Sequence, residues 1–284
     1  MEALDPEPGA AQEQTAESGP PDTPAVEDRR TYAPPEVDPA TMCALNSTLL
    51  RRVGEKVGLA ALLDDPAVAR FERLAAELVV ANERMNLTRL AQPDEIAIGH
   101  VLDSLVATKV LDEMGRRPRV IDVGSGAGFP GLALAVAHPE WRVTLLDARA
   151  KVVGWLAHAA EVLGLEHVET LHSRAEDAGR EKGRRAAYDV VVARAVAGLP
   201  TLLELTLPLL REGGLLVAWK GETADDEVAQ ASNALSVLGG KVKRRFRYQL
   251  PGLEHERVLV VVEKKRKTPT TYPRKAGTPK RKPL

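Results

Sequence analysis

A glycine-rich stretch that begins after Val123 has residue types and spacing suited to holding a cofactor. The apolar run Val120–Val123 predicts a buried strand, and it leads directly into four closely spaced glycines: Gly124, Gly126, Gly128 and Gly131. Glycine allows positive φ angles and lets a ligand approach the backbone closely. Because ligands of parallel α/β sheets bind beyond the carboxyl ends of the strands, we predict a cofactor site at this loop.

Three interpretations of this loop compete. Gly126-x-Gly128-x-x-Gly131 matches the dinucleotide-binding pattern, whereas Asp122-x-Gly-x-Gly-x-Gly is typical of loops that bind S-adenosylmethionine, and a structural turn is the third interpretation. We favour S-adenosylmethionine for two reasons. The Asp122 carboxylate can meet the ammonium group of that cofactor, and Pro130 removes a backbone N–H donor that a pyrophosphate would need.

Acidic residues follow the next two predicted strands. Asp147 ends the second strand, where a carboxylate can accept hydrogen bonds from a ribose diol, although it could also cap the following helix. Ala175 and Glu176 follow the third strand, where an adenine edge would lie, although Glu176 could be an ordinary solvated acid. We predict that all three positions contact the cofactor.

Arg194 and Lys220 are the two candidates for a catalytic role, and no other catalytic residue is assigned. They end the fourth and fifth predicted strands and therefore face the same edge of the sheet. A cation there could bind a phosphate, a guanine edge or the cofactor carboxylate, and a salt bridge with a helix acid is the alternative for each. His100 and Asp103 lie three residues apart on a helix, which we interpret as a packing or capping pair rather than a metal site.

The residues near these strand ends also constrain the nucleophile. Methylation of a pyrimidine carbon 5 needs a covalent cysteine, and the only cysteine, Cys43, precedes the predicted sheet. Exocyclic amines are commonly served by an Asn/Asp-Pro-Pro-aromatic loop after the fourth strand, but residues 193–198 read Ala-Arg-Ala-Val-Ala-Gly. A ring nitrogen such as guanine N7 has a lone pair and no proton to remove, so it needs no general base. The pattern favours a ring nitrogen.

The elements that must position these residues alternate between strand and helix after residue 118. Seven runs predict strands, and no helix separates the last two, which predicts an antiparallel hairpin. Such alternation is typical of a mostly parallel α/β sheet with right-handed crossovers. Before it, residues 44–115 have helical apolar spacing that breaks at Asn86 and resumes at Pro93. The predicted helices of the sheet region cover 130–137, 149–163, 200–210 and 223–238.

Charge is divided between the two ends of the chain. The 39 Lys and Arg residues nearly balance the 40 Asp and Glu residues, yet residues 1–40 carry a net −8 and residues 241–284 a net +12. We predict a disordered acidic head over 1–40 and a basic C-terminal tail over 264–284. The tail and the last hairpin predict contact with RNA phosphates, and a solvated strand edge with a disordered tail is the alternative. The candidate RNA-binding residues are Arg244, Arg245, Arg247, Lys264, Lys265, Arg266, Lys267, Arg274 and Lys275.

Composition argues against several classes of protein. A single cysteine excludes an intrachain disulfide and a zinc site built from several cysteines, and we expect no metal. No apolar run approaches the roughly 18–20 residues that span a bilayer, and the N-terminus has no signal-peptide pattern. We therefore expect a soluble, cytoplasmic, monomeric protein without a membrane partner.

Together these residues resemble a known family, the bacterial 16S rRNA guanine-N7 methyltransferases called RsmG, formerly GidB. The resemblance runs from about residue 66 to the end. Its most specific stretches are Asn86-Leu-Thr, the Phe129-Pro-Gly extension of the glycine loop and the tail that begins at Tyr272-Pro-Arg-Lys. The chain departs from the family at Ala81, where members often have Trp, and in its acidic head. Further matches are His100-Val-Leu-Asp-Ser-Leu, Leu145-Leu-Asp147, Ser173-Arg-Ala-Glu176, Ala193-Arg-Ala195 and Lys220-Gly221.

The resemblance implies a Rossmann-like class I methyltransferase domain over 116–263, preceded by extra helices. It implies S-adenosyl-L-methionine as the cofactor and a guanine N7 in the decoding-region loop of 16S rRNA as the target, with rRNA or the small ribosomal subunit as the partner. The alternative is a class I methyltransferase that acts on a small molecule or another RNA. The cofactor contacts carried over from the family are Gly124, Phe129, Ala175, Glu176 and Arg194.

Overall fold

The structure is a computed structural model that describes Tyr32, residues 44–111, Met114 and residues 117–284. The predicted acidic head apart from Tyr32, the cysteine at position 43 and the predicted helix end at Gly115 lie outside the described residues. In the described part of the chain, no helix is both long enough and apolar enough to cross a membrane.

Helices form the N-terminal region, as predicted. Asp64 caps the longest of them by accepting a hydrogen bond from the Ala67 amide at 2.8 Å. Asn86 ends it in the left-handed conformation, with φ +49°, which confirms the predicted break. The helical run that starts at Pro93 includes one π-helical stretch, Ile96–Leu102. The helices are α1 (Ser47–Lys56), α2 (Asp65–Met85), α3 (Pro93–Glu95), α4 (Asp103–Leu105) and α5 (Thr108–Leu111), with a 3-10 turn at Ala60–Leu62.

A seven-stranded sheet follows, with strand order β3-β2-β1-β4-β5-β7-β6. The first five strands are parallel, and β7 runs antiparallel to both β5 and β6, which confirms the predicted fold class. The strands are β1 (Arg119–Val123), β2 (Arg142–Asp147), β3 (Val168–His172), β4 (Tyr188–Arg194), β5 (Leu210–Lys220), β6 (Gly240–Tyr248) and β7 (Arg257–Lys264).

Helices connect the strands and cover the sheet. The predicted helix over 223–238 is two helices, because the chain leaves helical geometry at Ala231 between them. The connecting helices are α6 (Gly131–Ala137), α7 (Ala150–Val162), α8 (Ala175–Ala178), α9 (Leu199–Thr206), α10 (Ala224–Gln230) and α11 (Ser232–Leu238).

Two hydrophobic cores lie on opposite faces of the sheet. One contains α6, α7 and the N-terminal helices, so that Phe71 and Leu105 belong to the same core as Val190 of β4. The other contains α8 to α11, with Val191 and Leu203 among its buried residues. The N-terminal helices therefore share their core with the sheet, and burial of this apolar area fixes them beside the carboxyl ends of the strands.

The C-terminal tail packs on the second of these faces. Tyr272 and Leu284 contact that core, and Pro279 is buried in the short helix α12 (Thr278–Arg281). Because β7 is antiparallel to β5, the tail starts at the amino-terminal edge of the parallel strands. From there it runs to α9, against which its own helix α12 packs. The tail is an ordered part of this face, so the alternative of a disordered tail is wrong.

Candidate active site

The glycine loop has the strand–turn–helix geometry predicted from its sequence. Gly124, Gly126 and Gly128 have φ angles of +76°, +55° and +103°, which L side chains rarely adopt. Gly131, at the start of α6, is required for a different reason: a Cβ there would lie 2.3 Å from Leu145 and 2.7 Å from the Asp122 carboxylate. A Cβ on Gly124 or Gly128 would also lie within 3 Å of a neighbouring side chain, so this loop is closely packed and only Gly126 has ordinary van der Waals space.

Asp122 is fully buried beneath this loop. Its Oδ2 accepts a hydrogen bond from the Gly131 amide at 2.9 Å, whereas its Oδ1 has no hydrogen-bond partner in the described part of the chain. Burial raises the pKa of this carboxyl to about 7, and the Gly131 bond acts in the opposite direction. A buried carboxylate oxygen without a donor has the chemistry to receive an ammonium group.

Asp147 holds the other side of the loop. Its Oδ2 accepts from the Gly126 amide at 3.1 Å, and its Oδ1 accepts from the Arg149 amide at 2.9 Å, next to the start of α7. The predicted capping role and the predicted position beside the cofactor loop are thus compatible, since the side chain contacts both elements.

Phe129, in the same loop, forms part of an aromatic and cationic cluster. Its ring stacks on His100 with centroids 4.5 Å apart, and the Arg194 guanidinium lies 5.8 Å from its centroid. Arg194 donates to Nδ1 of His100 at 3.0 Å, so Nε2 carries the proton and donates to the Thr88 hydroxyl at 2.9 Å. Burial, and secondarily Arg194, lowers the pKa of His100 to about 3, which keeps the imidazole neutral.

Asp103 joins three strand ends to the N-terminal helices. Its Oδ2 accepts from Arg194 at 2.8 Å and its Oδ1 accepts from the Tyr248 hydroxyl at 2.7 Å. Its backbone carbonyl accepts from the Trp219 indole at 3.0 Å. Arg194 also donates to the Gly99 carbonyl at 3.0 Å. His100 and Asp103 are thus a packing pair, as interpreted from their spacing, and Arg194 makes the helix-acid salt bridge that was its alternative.

The turn after Arg194 carries backbone strain. Ala195 has φ +58°, a conformation that costs an alanine about 1–2 kcal/mol. The next residue, Val196, is more than a third exposed, and its side chain lies 2.9 Å from where a Cβ of Gly124 would be. This turn therefore places an exposed apolar side chain directly over the first glycine of the loop.

Lys220 does not have the free ammonium group that a catalytic candidate needs. Its Nζ donates to the Ala197 carbonyl at 2.8 Å and to Glu227 of α10 at 2.7 Å, and its side chain is buried. Glu227 also accepts from the Leu199 amide at 2.7 Å. Lys220 thus fixes the loop between β4 and α9, and its salt-bridge alternative is the correct interpretation.

Ala175 and Glu176 begin α8, next to the strand pair that ends in Asp147. Asp147 of β2 lies in register with His172 of β3, three residues before Ala175. Glu176 is buried, and its Oε1 accepts from the Gly277 amide in the tail at 2.8 Å. The residue is therefore no ordinary solvated acid, and its carboxylate is fixed by the tail.

Comparison with known proteins identifies the family. A family model described as rRNA small subunit methyltransferase G, or GidB, matches residues 67–252. Ribosomal RNA small subunit methyltransferase G of Bacillus thuringiensis (strain Al Hakam) is 43% identical over 222 residues, which is 78% of this chain and 92% of the relative. The protein of the same name from Bacillus cereus (strain AH187) matches to the same extent. This chain belongs to the rRNA small subunit methyltransferase G family.

The family membership confirms the predicted methyltransferase with S-adenosyl-L-methionine as its cofactor. The residues at the glycine loop fit that group, because the unpartnered Oδ1 of Asp122 suits its ammonium and glycines with positive φ let a ligand approach the backbone closely. Among solved structures, the precorrin-6y C5,15-methyltransferase of Geobacter metallireducens GS-15 is similar, with a TM-score of 0.45 and 14% identity over 62% of this chain and 93% of that chain.

The candidate RNA-binding cations of this methyltransferase lie in two different settings. Arg244, Arg245 and Arg247 are exposed on β6, the edge strand. Arg244 lies 5.1 Å from the Phe246 ring centroid, while Arg245 and Arg247 both pair with Asp225. The second setting is the end of the chain, where Lys265, Arg266, Lys267 and Lys275 are exposed.

Two of the predicted RNA-binding residues are corrected by the structure. Lys264 is buried, and its Nζ donates to the Leu207 carbonyl and the Thr268 hydroxyl. Burial lowers the pKa of its ammonium to about 8. Arg274 is partly buried. Its Nε and Nη2 donate hydrogen bonds to Oε1 and Oε2 of the fully buried Glu204, at 2.9 and 2.6 Å. Both cations hold the tail in place through these contacts, so we remove them from the predicted RNA-binding set.

Sequence reasoning missed several members of the site. Thr88, Trp219 and Tyr248 join the network around Asp103 and His100, although each has an ordinary apolar or polar context in the sequence. What these residues share is an N–H or O–H group, on an aromatic ring or as a hydroxyl. Each lies near the end of an element that faces the carboxyl ends of the strands. No group of His, Cys, Asp and Glu among the described residues could hold a metal ion.

Proposed function

We propose that this protein methylates N7 of a guanine in the decoding-region loop of 16S rRNA, using S-adenosyl-L-methionine. Family membership supports rRNA of the small subunit as the substrate class. The observation that supports a ring nitrogen concerns the titratable side chains around the glycine loop. Those on the open side of the loop are engaged or held in the wrong state for a general base, and Asp122 is fully buried beneath the loop, where we assign its free oxygen to the cofactor ammonium.

His100 illustrates this point best. Both of its ring nitrogens are engaged, and its pKa of about 3 makes it a very weak base. Both carboxylate oxygens of Asp103 accept hydrogen bonds, and Arg194 and Lys220 are cations with their donors in use. A nucleophile that keeps its proton, such as an amine or hydroxyl, would need a base; the N7 lone pair needs none.

The bound cofactor supplies an electrophilic methyl group on a sulfonium, which an N7 lone pair displaces in line. The protein's contribution is positional. Asp122 and Asp147 hold opposite sides of the glycine loop, and the Arg194 cluster fixes Phe129 beside it. Positioning of this kind lowers the barrier without any proton transfer. For well-oriented reactants the effect is about 7–11 kcal/mol.

We further propose that the exposed cations hold the RNA while the guanine enters. This set now comprises Arg244, Arg245, Arg247, Lys265, Arg266, Lys267 and Lys275. Their partners on the protein are surface carboxylates or carbonyls, such as Asp225 and the Ser236 carbonyl, which phosphate oxygens can replace. Arg247 lies opposite Val258 near the carboxyl edge of the sheet, whereas Lys265, Arg266 and Lys267 follow the end of β7 at the amino-terminal edge of the parallel strands. RNA bound to all of these cations would therefore run from one edge of the sheet to the other.

The test is a map of methyl groups on small-subunit rRNA by mass spectrometry. Cells that lack the protein should lose one N7-methylguanine in the decoding region, and the wild-type gene should restore it. An Asp122→Asn variant, which retains an acceptor for the Gly131 amide, should fail to restore it. An unchanged methylation map would contradict the proposal, and a missing methyl group elsewhere would redirect it to another RNA.

A further inference from the structure

The C-terminal tail starts at the amino-terminal edge of the parallel strands and is attached to the protein at several points on its way to the cofactor side. Its first anchor is Thr268, whose hydroxyl donates to the Leu238 carbonyl at 2.8 Å and lies within hydrogen-bond reach of the buried Lys264 ammonium. Its last is Pro279, whose carbonyl accepts from the Thr201 hydroxyl of α9 at 3.1 Å. Between these points the tail contacts α8, the loop after it and α9.

The loop after α8 donates several hydrogen bonds to tail carbonyls. Arg185 donates to the carbonyls of Thr268 and Tyr272, at 2.9 and 2.8 Å, and also to the carbonyl of Gly179 within its own loop. Arg180 donates to the Pro273 carbonyl at 2.7 Å. These arginine donors are satisfied by backbone groups of the tail, so loss of the tail would leave them without those partners.

The centre of the tail is fixed by a buried ion pair. Glu204 of α9 is fully buried, and Arg274 contacts it through Nε, Nη2 and its own backbone amide, the last at 2.8 Å. Three donor groups on one buried carboxylate leave little freedom for the residues that follow. Arg274 therefore sets the position of the tail just before Gly277.

Gly277 then reaches the cofactor side. It has φ +81°, and in this conformation its amide points to Oε1 of Glu176 at 2.8 Å. Helix α8 has only four residues, Ala175–Ala178, and a helix that short is not stable on its own. It begins immediately beyond the strand end that lies beside Asp147, whose side chain holds the glycine loop. The tail thus supplies the donor that fixes the first turn of α8 next to this loop.

We propose that the tail is a positioning element of the cofactor site, in which Gly277 holds Glu176 and α8 in the conformation that accepts S-adenosyl-L-methionine. Gly277 and Arg274 are positioning residues in this arrangement and touch no reactant. The tail also connects its exposed cations to the cofactor site. A ligand bound at those cations is therefore coupled to the ordering of the cofactor site.

The experiment measures cofactor binding by titration calorimetry with the full-length chain and S-adenosyl-L-methionine, without RNA. In Arg274→Gln the dissociation constant should rise about tenfold, because α8 loses its fixed tail contact. Lys280→Gln is the matched control: it removes one exposed tail cation that is not an anchor, and its dissociation constant should stay within twofold of wild type. Circular dichroism establishes that both variants are folded.

Hydrogen exchange on the wild-type chain keeps the proposal testable even if Arg274→Gln fails to fold. Adding S-adenosylhomocysteine or S-adenosyl-L-methionine should slow exchange of the amides around Gly277 at least several-fold. At ligand concentrations that saturate each variant, Glu176→Ala should abolish that slowing. Glu176→Gln, whose amide oxygen can still accept from Gly277, should restore it. Tail amides that exchange equally with and without cofactor would overturn the proposal, as would an Arg274→Gln variant with wild-type affinity. Neither outcome bears on the identity of the RNA target.

Discussion

Two arginines, Arg194 and Arg274, were both assigned to ligand contact from the sequence, and each instead forms an ion pair with a buried carboxylate. Arg194 pairs with Asp103, and Arg274 pairs with Glu204, on the opposite face of the sheet. The first pair lies against Phe129 of the glycine loop and a neutral His100. The second lies under the tail, away from the loop.

The difference between the two pairs is in what else each arginine contacts. Arg194 has an aromatic ring and an imidazole as neighbours, which places its charge beside the glycine loop, where we propose that the methyl donor binds. Arg274 contacts mainly Glu204 and the Lys282 carbonyl, so its charge is used to hold backbone. The two ion pairs are chemically similar, but one lies beside the glycine loop and the other holds the tail. We therefore expect their loss to change different properties of the protein.

The largest expected effect concerns the stability of the tail pair. Arg274→Gln leaves the Glu204 carboxylate buried without its cation, and breaking such a pair typically costs about 3–5 kcal/mol. The free energy of unfolding measured in urea should fall by roughly that amount, without a change in slope. The double substitution Arg274→Met with Glu204→Leu should recover much of the loss. A loss below about 1 kcal/mol would mean that the pair is effectively solvated and would remove the contrast with Arg194.

The second effect concerns activity at the loop pair. Arg194→Ala should lower the methylation rate by roughly 10- to 100-fold, because loss of a charge-assisted hydrogen bond of about 1.5–3 kcal/mol frees Phe129 and His100 beside the cofactor. Its loss of activity should exceed what its change in stability explains. The measurement is single-turnover methylation with saturating cofactor. A wild-type rate would mean that the Arg194 pair contributes to folding and not to methyl transfer.

Asp122 extends the comparison to a buried carboxylate that lacks a hydrogen-bonded arginine. Its pKa is about 7 in the folded protein, above the ordinary 3.8, so the folded state keeps a proton that the unfolded chain has lost. Its contribution therefore favours folding at low pH and is lost as the pH rises from about 4 through about 7. The unfolding midpoint of cofactor-free protein should fall across this range more in wild type than in Asp122→Asn. Equal pH profiles would contradict the raised pKa.

The smallest effect concerns the exposed cations of β6. Arg244→Gln should weaken RNA binding only a few-fold and reduce the slope of log affinity against log salt by about one, because one phosphate contact is lost. Cofactor affinity should not change. Filter binding across a salt series is the measurement. A large loss of affinity would mean that Arg244 contacts a base, whereas no loss would move the RNA surface away from this strand.

Much of the fold was predictable because its signals are local. The alternation of apolar runs and glycines identified seven strands and the antiparallel hairpin, and Asn86 marked the end of α2. The split between α10 and α11 was not predictable, since the helical spacing continues across Ala231. The glycine loop with Asp122 was predictable as a unit, because strand, turn and helix are adjacent in the chain.

The partners of the charged residues were not predictable from the sequence. Arg194 and Asp103 are 91 residues apart, and Gly277 and Glu176 are 101 apart. Nothing local distinguishes Lys264 from Lys265, yet one is buried and the other exposed. Lys264 is the last residue of β7 and its ammonium is covered by the end of α9 and by the tail, whereas Lys265 lies beyond the strand. The sequence by itself determined the family, the cofactor loop and the order of elements. The tertiary structure alone decided which cations are anchors and which are exposed, because burial and pairing depend on segments that meet only when the sheet and its tail assemble.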